Sequence, residues 1–273
     1  MEKTLQEKER ELYRFLQQYR KVAVAFSGGV DSSVVLAACK AAGVAAEAIF
    51  ADSQAVPQFE KEDAARVAGE VGADLRKFSY RPLDNPRFCA NRSDRCYHCK
   101  KSLMQALKQL AFELGCEVVF DGANWDDQGD YRPGMQAAQE EGIVSPLLAC
   151  SVTKAEVRLL AQKYHLSVAG KPAYACLASR VAYGEEITEA KLQMIEKAEA
   201  AVSALGFTDV RVRCHGNLAR LEVDQEQIEL AATVYREKLL ECIKRAGFLY
   251  VALDLQGYRT GSMNSALAHD ASL

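Results

Sequence analysis

Val22-Ala23-Val24-Ala25-Phe26-Ser27-Gly28-Gly29-Val30-Asp31-Ser32-Ser33 is the stretch whose reading decides the fold. A short apolar run with Val at alternate positions predicts a buried strand. Ser-Gly-Gly breaks it, and Asp31 to Lys40 continues as a helix. Strand, glycine turn and helix start in succession gather unpaired backbone N–H groups at one point. The helix dipole adds partial positive charge there, so an anion is the natural occupant. Gly28 and Gly29 remove Cβ atoms from its path, and Ser27, Ser32 and Ser33 add hydroxyl donors. Asp31 is the odd member: a carboxylate beside a phosphate suits a divalent cation lying between them. The turn lacks the lysine of the Walker loop and the spaced glycine triplet of dinucleotide folds. The ordinary alternative for a single Ser-Gly is a capped βα turn. Six consecutive residues, Ser27 to Ser32, favour a nucleotide-phosphate site over that alternative.

Outward from this stretch, strands and helices alternate. Val44 to Phe50, Leu75 to Ser79 and Val118 to Asp121 are strands, and Glu60 to Val71 and Tyr97 to Leu114 are helices. That alternation predicts an α/β fold with a doubly wound parallel sheet, ligands lying at the carboxyl ends of its strands. Composition changes after Tyr183-Gly184, so residues 1–183 form the nucleotide domain and 184–273 a small C-terminal α+β domain for substrate or oligomerisation. In the latter, Ile187 to Leu205 is a helix, Val210 to Arg213 pairs with Ala219 to Val223, Gln225 to Ala246 is one long helix, and Tyr250 to Leu255 is a strand.

A chain of 273 residues has ample length for a core. With 49% hydrophobic and 26% charged residues it is an ordinary globular composition. No apolar run approaches the roughly 20 residues of a membrane helix, and the charged, helical start is not a signal peptide. The net charge of −3 implies no general affinity for nucleic acid. Nine cysteines without regular spacing argue against a secreted disulfide framework and for the cytoplasm.

Two cysteine segments stand out. Cys96-Tyr97-His98-Cys99 opens a helix whose dipole, with Arg95, Lys100 and Lys101, favours thiolate; metal binding, redox chemistry and buried thiols all remain open for it. Cys176 lies in an irregular segment, Lys171 to Arg180, ahead of a Ser179-Arg180 pair suited to an anion. Cys39, Cys116, Cys150, Cys214 and Cys242 are expected to be small buried hydrophobes; Cys89 is left unassigned.

SGGVDS, DGANWDDQGDYRPG (Asp121 to Gly134), SPL (Ser145 to Leu147), TKAEVR (Thr153 to Arg158), CLASR (Cys176 to Arg180), RVR (Arg211 to Arg213) and DLQGYRTGSMN (Asp254 to Asn264) follow in order. Together they resemble the LarE family of ATP-dependent sulfur transferases, over nearly the whole chain. The resemblance implies adenylation of the carboxylates of pyridinium-3,5-biscarboxylic acid mononucleotide and their conversion to thiocarboxylates, in making the nickel-pincer nucleotide cofactor. It implies ATP and Mg²⁺, the latter at Asp31, with the nucleotide on Ala25, Phe26, Ser27, Gly28, Gly29, Asp31, Ser32, Ser33, Ser53 and Gly122. Some members give up the sulfur of the cysteine matching Cys176; others hold a [4Fe-4S] cluster on three cysteines, here Cys96, Cys99 and Cys176, and deliver an added sulfide. Three cluster thiolates leave one iron open. Ser179 and Arg180 flank the active cysteine, with Arg180 expected to stabilise the oxyanion. Asp126, Arg132, Arg211, Arg213, Glu199 and Glu222 are the candidate substrate residues. The two glutamates match positions associated with metal in the family, although the third acidic position falls near Leu230. Arg259 and Ser262 are further phosphate candidates or a polar tail. The expected partners are the mononucleotide and a sulfide donor, with no nucleic acid and no membrane; the chain is expected to be a homo-oligomer. A tRNA thiolase and an ammonia-using synthetase are the competing functions.

Overall fold

The computed structural model describes residues 3–129, 133–172, 174–259 and 262–264. Two compact units divide the chain: Met1–Tyr80 with Cys96–Tyr174, and Arg81–Arg95 with Ala175–Leu273. The division falls between Tyr174 and Ala175, nine residues before the expected one after Tyr183. The second unit also takes Arg81–Arg95 from within the first. Asn91 shows the reason. Its buried amide donates to the carbonyls of Val181, Ala182 and Glu185 at 3.3, 2.7 and 3.0 Å.

In the first unit β1 (Lys21–Ala25), β2 (Ala45–Asp52), β3 (Leu75–Ser79) and β4 (Val118–Phe120) form a parallel sheet ordered β3-β2-β1-β4. The pleat sends alternate side chains to opposite faces. Val22, Val24, Phe50 and Phe120 join one apolar cluster. It includes residues of α1 (Leu5–Leu16), α2 (Val30–Ala41), α3 (Gln58–Val71) and, farther along the chain, α6 (Lys154–Lys163). Ala23, Ile49 and Val119 point the other way, against Met104, Leu107 and Ala111 of α4 (Arg95–Glu113) and Ala138 of α5 (Pro133–Glu140). The α/β doubly wound sheet is therefore the observed fold. Capping boxes start α1 at Thr4, with Glu7, and α6 at Thr153, with Glu156. Strand order reverses between β1 and β4, so the loops leaving their carboxyl ends diverge and open a crevice there.

The second unit carries α7 (Glu189–Ala204), β5 (Arg211–His215), β6 (Leu218–Glu222), α8 (Arg236–Arg245) and β7 (Tyr250–Leu253). The β5–β6 pair is antiparallel and β7 joins β6 in parallel. One expectation fails. The long helix from Gln225 to Ala246 is broken into Ile228–Ala232 and α8 by Thr233, whose backbone leaves the helical region at φ −112°, ψ −84°. Its hydroxyl bonds back to the carbonyl of Glu229 at 2.7 Å, a competitor for the helical ladder. Among the described residues no helix is long and apolar enough to cross a membrane.

Candidate functional site

The turn after β1 is braced by its own hydroxyls. Ser32 Oγ lies 3.2 Å from both the Ser27 amide and Ser27 Oγ, and Ser33 Oγ donates to the Gly29 carbonyl at 2.8 Å. Gly29 caps α2 with no side-chain bond, leaving the helix start to whatever anion arrives. Gly28 is required twice over. Its φ is +73°, and a Cβ there would lie 2.7 Å from Ala64 Cα of α3. Gly122, at the carboxyl end of β4, packs as closely: its Cβ would lie 2.8 Å from the Ser32 amide. The crevice walls, β1 turn and β4 loop, are thus in backbone contact.

Asp31 stands on α2 beside this contact. Lys154 Nζ meets its carboxylate at 2.5 Å and Asn124 Nδ2 donates to it at 3.1 Å. The Lys154 amide donates to Asp126 at 2.9 Å, and the Asp126 amide donates to Asn124 Oδ1 at 3.1 Å. Asp121 accepts from Ser145 Oγ at 2.6 Å. Asn124 and Lys154 had not been singled out from the chain. The available signal was Lys154 itself, a cation in the first turn of α6, where the dipole disfavours it. Its ion pair explains the position. Asp121 and Ala123 line a cavity of about 860 Å³ with Asp127, Gln128, Gln136 and Leu148, ample for a nucleotide-sized ligand. Ser53 is buried at the end of β2, its hydroxyl accepting from the Ala55 amide at 3.2 Å. Ala25 ends β1, and the amide of Phe26 just beyond it donates to the Ile49 carbonyl. Arg132 lies outside the described residues.

The nine cysteines sort by exposure. Cys96 and Cys176 are the two exposed ones, Cys99 is half-buried, and Cys39, Cys150 and Cys214 are buried. Burial pushes the thiols of Cys39 and Cys150 up to about 12 and about 11, which keeps them protonated and inert. Cys116 and Cys242 are half-buried rather than buried as expected. Cys96 and Cys99 occupy the first turn of α4 in the first unit, and Cys176 belongs to the second. Tyr80 donates to the Cys99 carbonyl at 2.8 Å, fixing that turn. Among the described residues no three His, Cys, Asp or Glu side chains gather as a metal-holding group.

In the second unit the structure redirects several expectations. Arg180 is fully buried. Its Nε donates to Glu199 at 2.9 Å, and Nη1 donates to the carbonyls of Ala175 and Cys176 at 2.6 and 3.1 Å and to Ser179 Oγ at 2.9 Å. A guanidinium so committed holds the backbone beneath Cys176. Glu199 also accepts from the Val212 amide, and Glu222 accepts from Arg213 at 2.7 Å and Ser262 at 2.9 Å. Both glutamates serve as counterions to arginines, Glu199 to Arg180 and Glu222 to Arg213. Arg211 and Arg213 share a strand face as expected, but that face is buried. Arg211 lies 4.7 Å from the Tyr258 ring, and Arg213 Nη1 reaches the Ser179 carbonyl at 3.4 Å. Arg180, Ser179, Arg213, Glu222 and Ser262 are brought together. Arg259, by contrast, bonds to Gln256.

Residues 20–81 match the model of the tRNA methyl transferase HUP domain. An uncharacterized protein of Synechocystis sp. is 42% identical over 265 residues, 96% of this chain and 99% of that one. The pyridinium-3,5-bisthiocarboxylic acid mononucleotide synthase of Lactiplantibacillus plantarum is 35% identical over 268 residues, 97% of this chain and 96% of that one. Among solved structures, NMN synthetase from Francisella tularensis shares the fold, with a TM-score of 0.52 at 16% identity over 63% of this chain and 76% of its own.

Proposed function

The chain belongs to the LarE family of PP-loop sulfurtransferases, and from that premise we propose that it adenylates the carboxylates of pyridinium-3,5-biscarboxylic acid mononucleotide and converts them to thiocarboxylates. The observation that carries the reading is that one chain holds both a phosphate turn at its sheet's switch point and two exposed thiols, Cys96 and Cys176.

A carboxylate resists attack because its charge repels a sulfur nucleophile and oxide leaves poorly. Attaching AMP removes the charge and supplies the leaving group. Ser27 to Ser33 hold the phosphates through backbone N–H groups and hydroxyls. Asp31 is the residue that would hold Mg²⁺, which neutralises charge on the departing pyrophosphate; Lys154 and Asn124 hold Asp31 in place. Arg180 and Ser179 fix the backbone of Cys176. Arg211 and Arg213 share a buried strand face, and Arg213, paired with Glu222, holds that face still. Asp126, tied to Lys154, shapes the same crevice.

Cys96, Cys99 and Cys176 suit a [4Fe-4S] cluster by donor chemistry, since all three are thiols outside the buried class. Such a cluster supplies an open iron that carries an exchangeable sulfide. A second reading, sacrifice of the Cys176 sulfur alone, needs only that thiol to be exposed, as it is. A reducing cytoplasm suits nine cysteines of which none is disulfide-bonded. The exposed Val234, Leu249, Tyr250 and Leu255 of the second unit support assembly as a homo-oligomer.

The test is pyrophosphate exchange into ATP, which must depend on the pyridinium mononucleotide; exchange without it, or with tRNA in its place, refutes the proposal. Iron and sulfide analysis of anaerobically purified protein separates the two sulfur sources. The cluster reading expects iron that is lost in Cys96→Ala and repeated turnover with added sulfide. The sacrificial reading expects one turnover and a protein lighter by hydrogen sulfide.

A further inference from the structure

The function above accounts for the residues after Cys176 but leaves those before it without a task. Lys171 has its side chain largely buried and ends between two carboxylates of α3, Glu60 and Asp63, at 2.8 Å from each. The same ammonium lies 6.0 Å from the Phe59 ring, and the Phe59 ring meets Tyr174 edge-on at 4.9 Å between centroids. Two side chains of one short segment therefore grip the first turns of α3. Arg158 adds a third hold, donating to the carbonyls of Ala169 and Lys171 at 2.8 and 3.4 Å.

What they grip matters. Asp63 adjoins Ala64, the residue against which Gly28 of the phosphate turn is packed. Glu60 is buried, and among the described residues its Oε1 has no hydrogen-bond partner. Tyr174 is two residues from Cys176, so the chain permits no more than about 7 Å between their Cα atoms. Anchoring Tyr174 on α3 thus limits where the thiol can go, measured from the helix that backs the phosphate turn.

We propose that Lys171 is a positioning residue for sulfur transfer: its bonds to Glu60 and Asp63 tether the segment that carries Cys176 to the helix packed on the nucleotide turn. Adenylation does not use the tether; delivery of sulfur to the acyl adenylate does. The proposal rests on the sulfurtransferase reading for its functional half, while its structural half is measurable without any reaction.

Lys171→Met and Lys171→Arg are compared in the full-length protein. Hydrogen exchange in the peptide spanning residues 174–180 is expected to quicken about tenfold in Lys171→Met, to return close to the parent rate in Lys171→Arg, and to leave β1 and α2 unchanged. In the same proteins thiocarboxylate formation is expected to fall about tenfold in Lys171→Met, with substrate-dependent pyrophosphate exchange held within about twofold. Unchanged exchange in residues 174–180 overturns the proposal. So does quickening that spreads to β1 and α2, or an equal fall in both half-reactions, since each marks a general structural role. If the parent protein shows no substrate-dependent pyrophosphate exchange, the function is what fails, and the hydrogen-exchange arm still decides the tether.

Discussion

The phosphate turn of the first unit and the charged face of the second handle polar groups in opposite ways. At the turn, the start of α2 is capped by a glycine without a side-chain bond, and its backbone donors are left to a ligand. On the second unit's face, charges are spent on each other: Arg180 on Glu199, Arg213 on Glu222, Arg220 on Asp254. An arginine beside a reactive cysteine invites a catalytic role. Here its donors are occupied, and what it contributes to the thiol is a fixed backbone. Open donors mark where a ligand is bound; saturated ion pairs mark where a scaffold is held still.

The strongest way to break this contrast is to remove one partner of the Arg180–Glu199 pair. Arg180→Met strips the buried Glu199 carboxylate of its guanidinium counterion, which costs about 3–5 kcal/mol. Urea unfolding is expected to show that loss, and Glu199→Gln a similar but smaller one. Replacing both residues with apolar side chains should recover part of it, because two charges then leave the interior together. A stable Arg180→Met protein that adenylates normally yet transfers no sulfur would return Arg180 to the chemistry and dissolve the contrast.

The first unit should respond the other way, in activity more than in stability. Lys154→Gln removes the cation from Asp31 at a partly exposed ion pair. Pyrophosphate exchange is expected to fall about a hundredfold, near 2.7 kcal/mol of transition-state stabilisation, while unfolding shifts by less than about 1 kcal/mol. A stability loss as large as that of Arg180→Met would show that the two regions are built alike. Gly122→Ala sits between them in kind. Its new Cβ meets the Ser32 amide at 2.8 Å, so the two crevice walls must part, at about 1–3 kcal/mol. Its readout is a raised KM for ATP.

The same contrast explains what could be read from the chain. Residues 22–33 were legible because strand, glycine turn and helix follow one another locally, and alternation of strands and helices then settles the parallel sheet. Asn124, Lys154 and Lys171 act across 93, 123 and 111 residues of chain, on Asp31 and Glu60, and no local pattern announces such partners. Arg180 was legible as a charge beside a cysteine but not as a saturated one, since Glu199 comes from another helix. The break at Thr233 was hidden because the flanking residues keep helical spacing on both sides.

The mildest probe of the contrast is pH, through His215 at the end of β5. Burial holds its imidazole below the ordinary value of 6.5, and the nearby Arg220 adds to this. Arg220 Nε also lies 3.4 Å from His215 Nε2, a contact in which the ring nitrogen accepts and so must be unprotonated. The folded protein therefore binds this proton less readily than the unfolded chain. Between the lowered value and 6.5 the unfolded state carries more protons, so stability rises with pH across that window and is lost on acidification through it. His215→Gln keeps an acceptor for Arg220 without the titration, and should flatten the pH dependence of unfolding below 6.5. Hydrogen exchange should place the effect in β5 and β6 and leave the phosphate turn untouched. A change that appears equally in the turn would mean that the open and the saturated regions unfold as one, and that their opposite use of charge carries no separate stability.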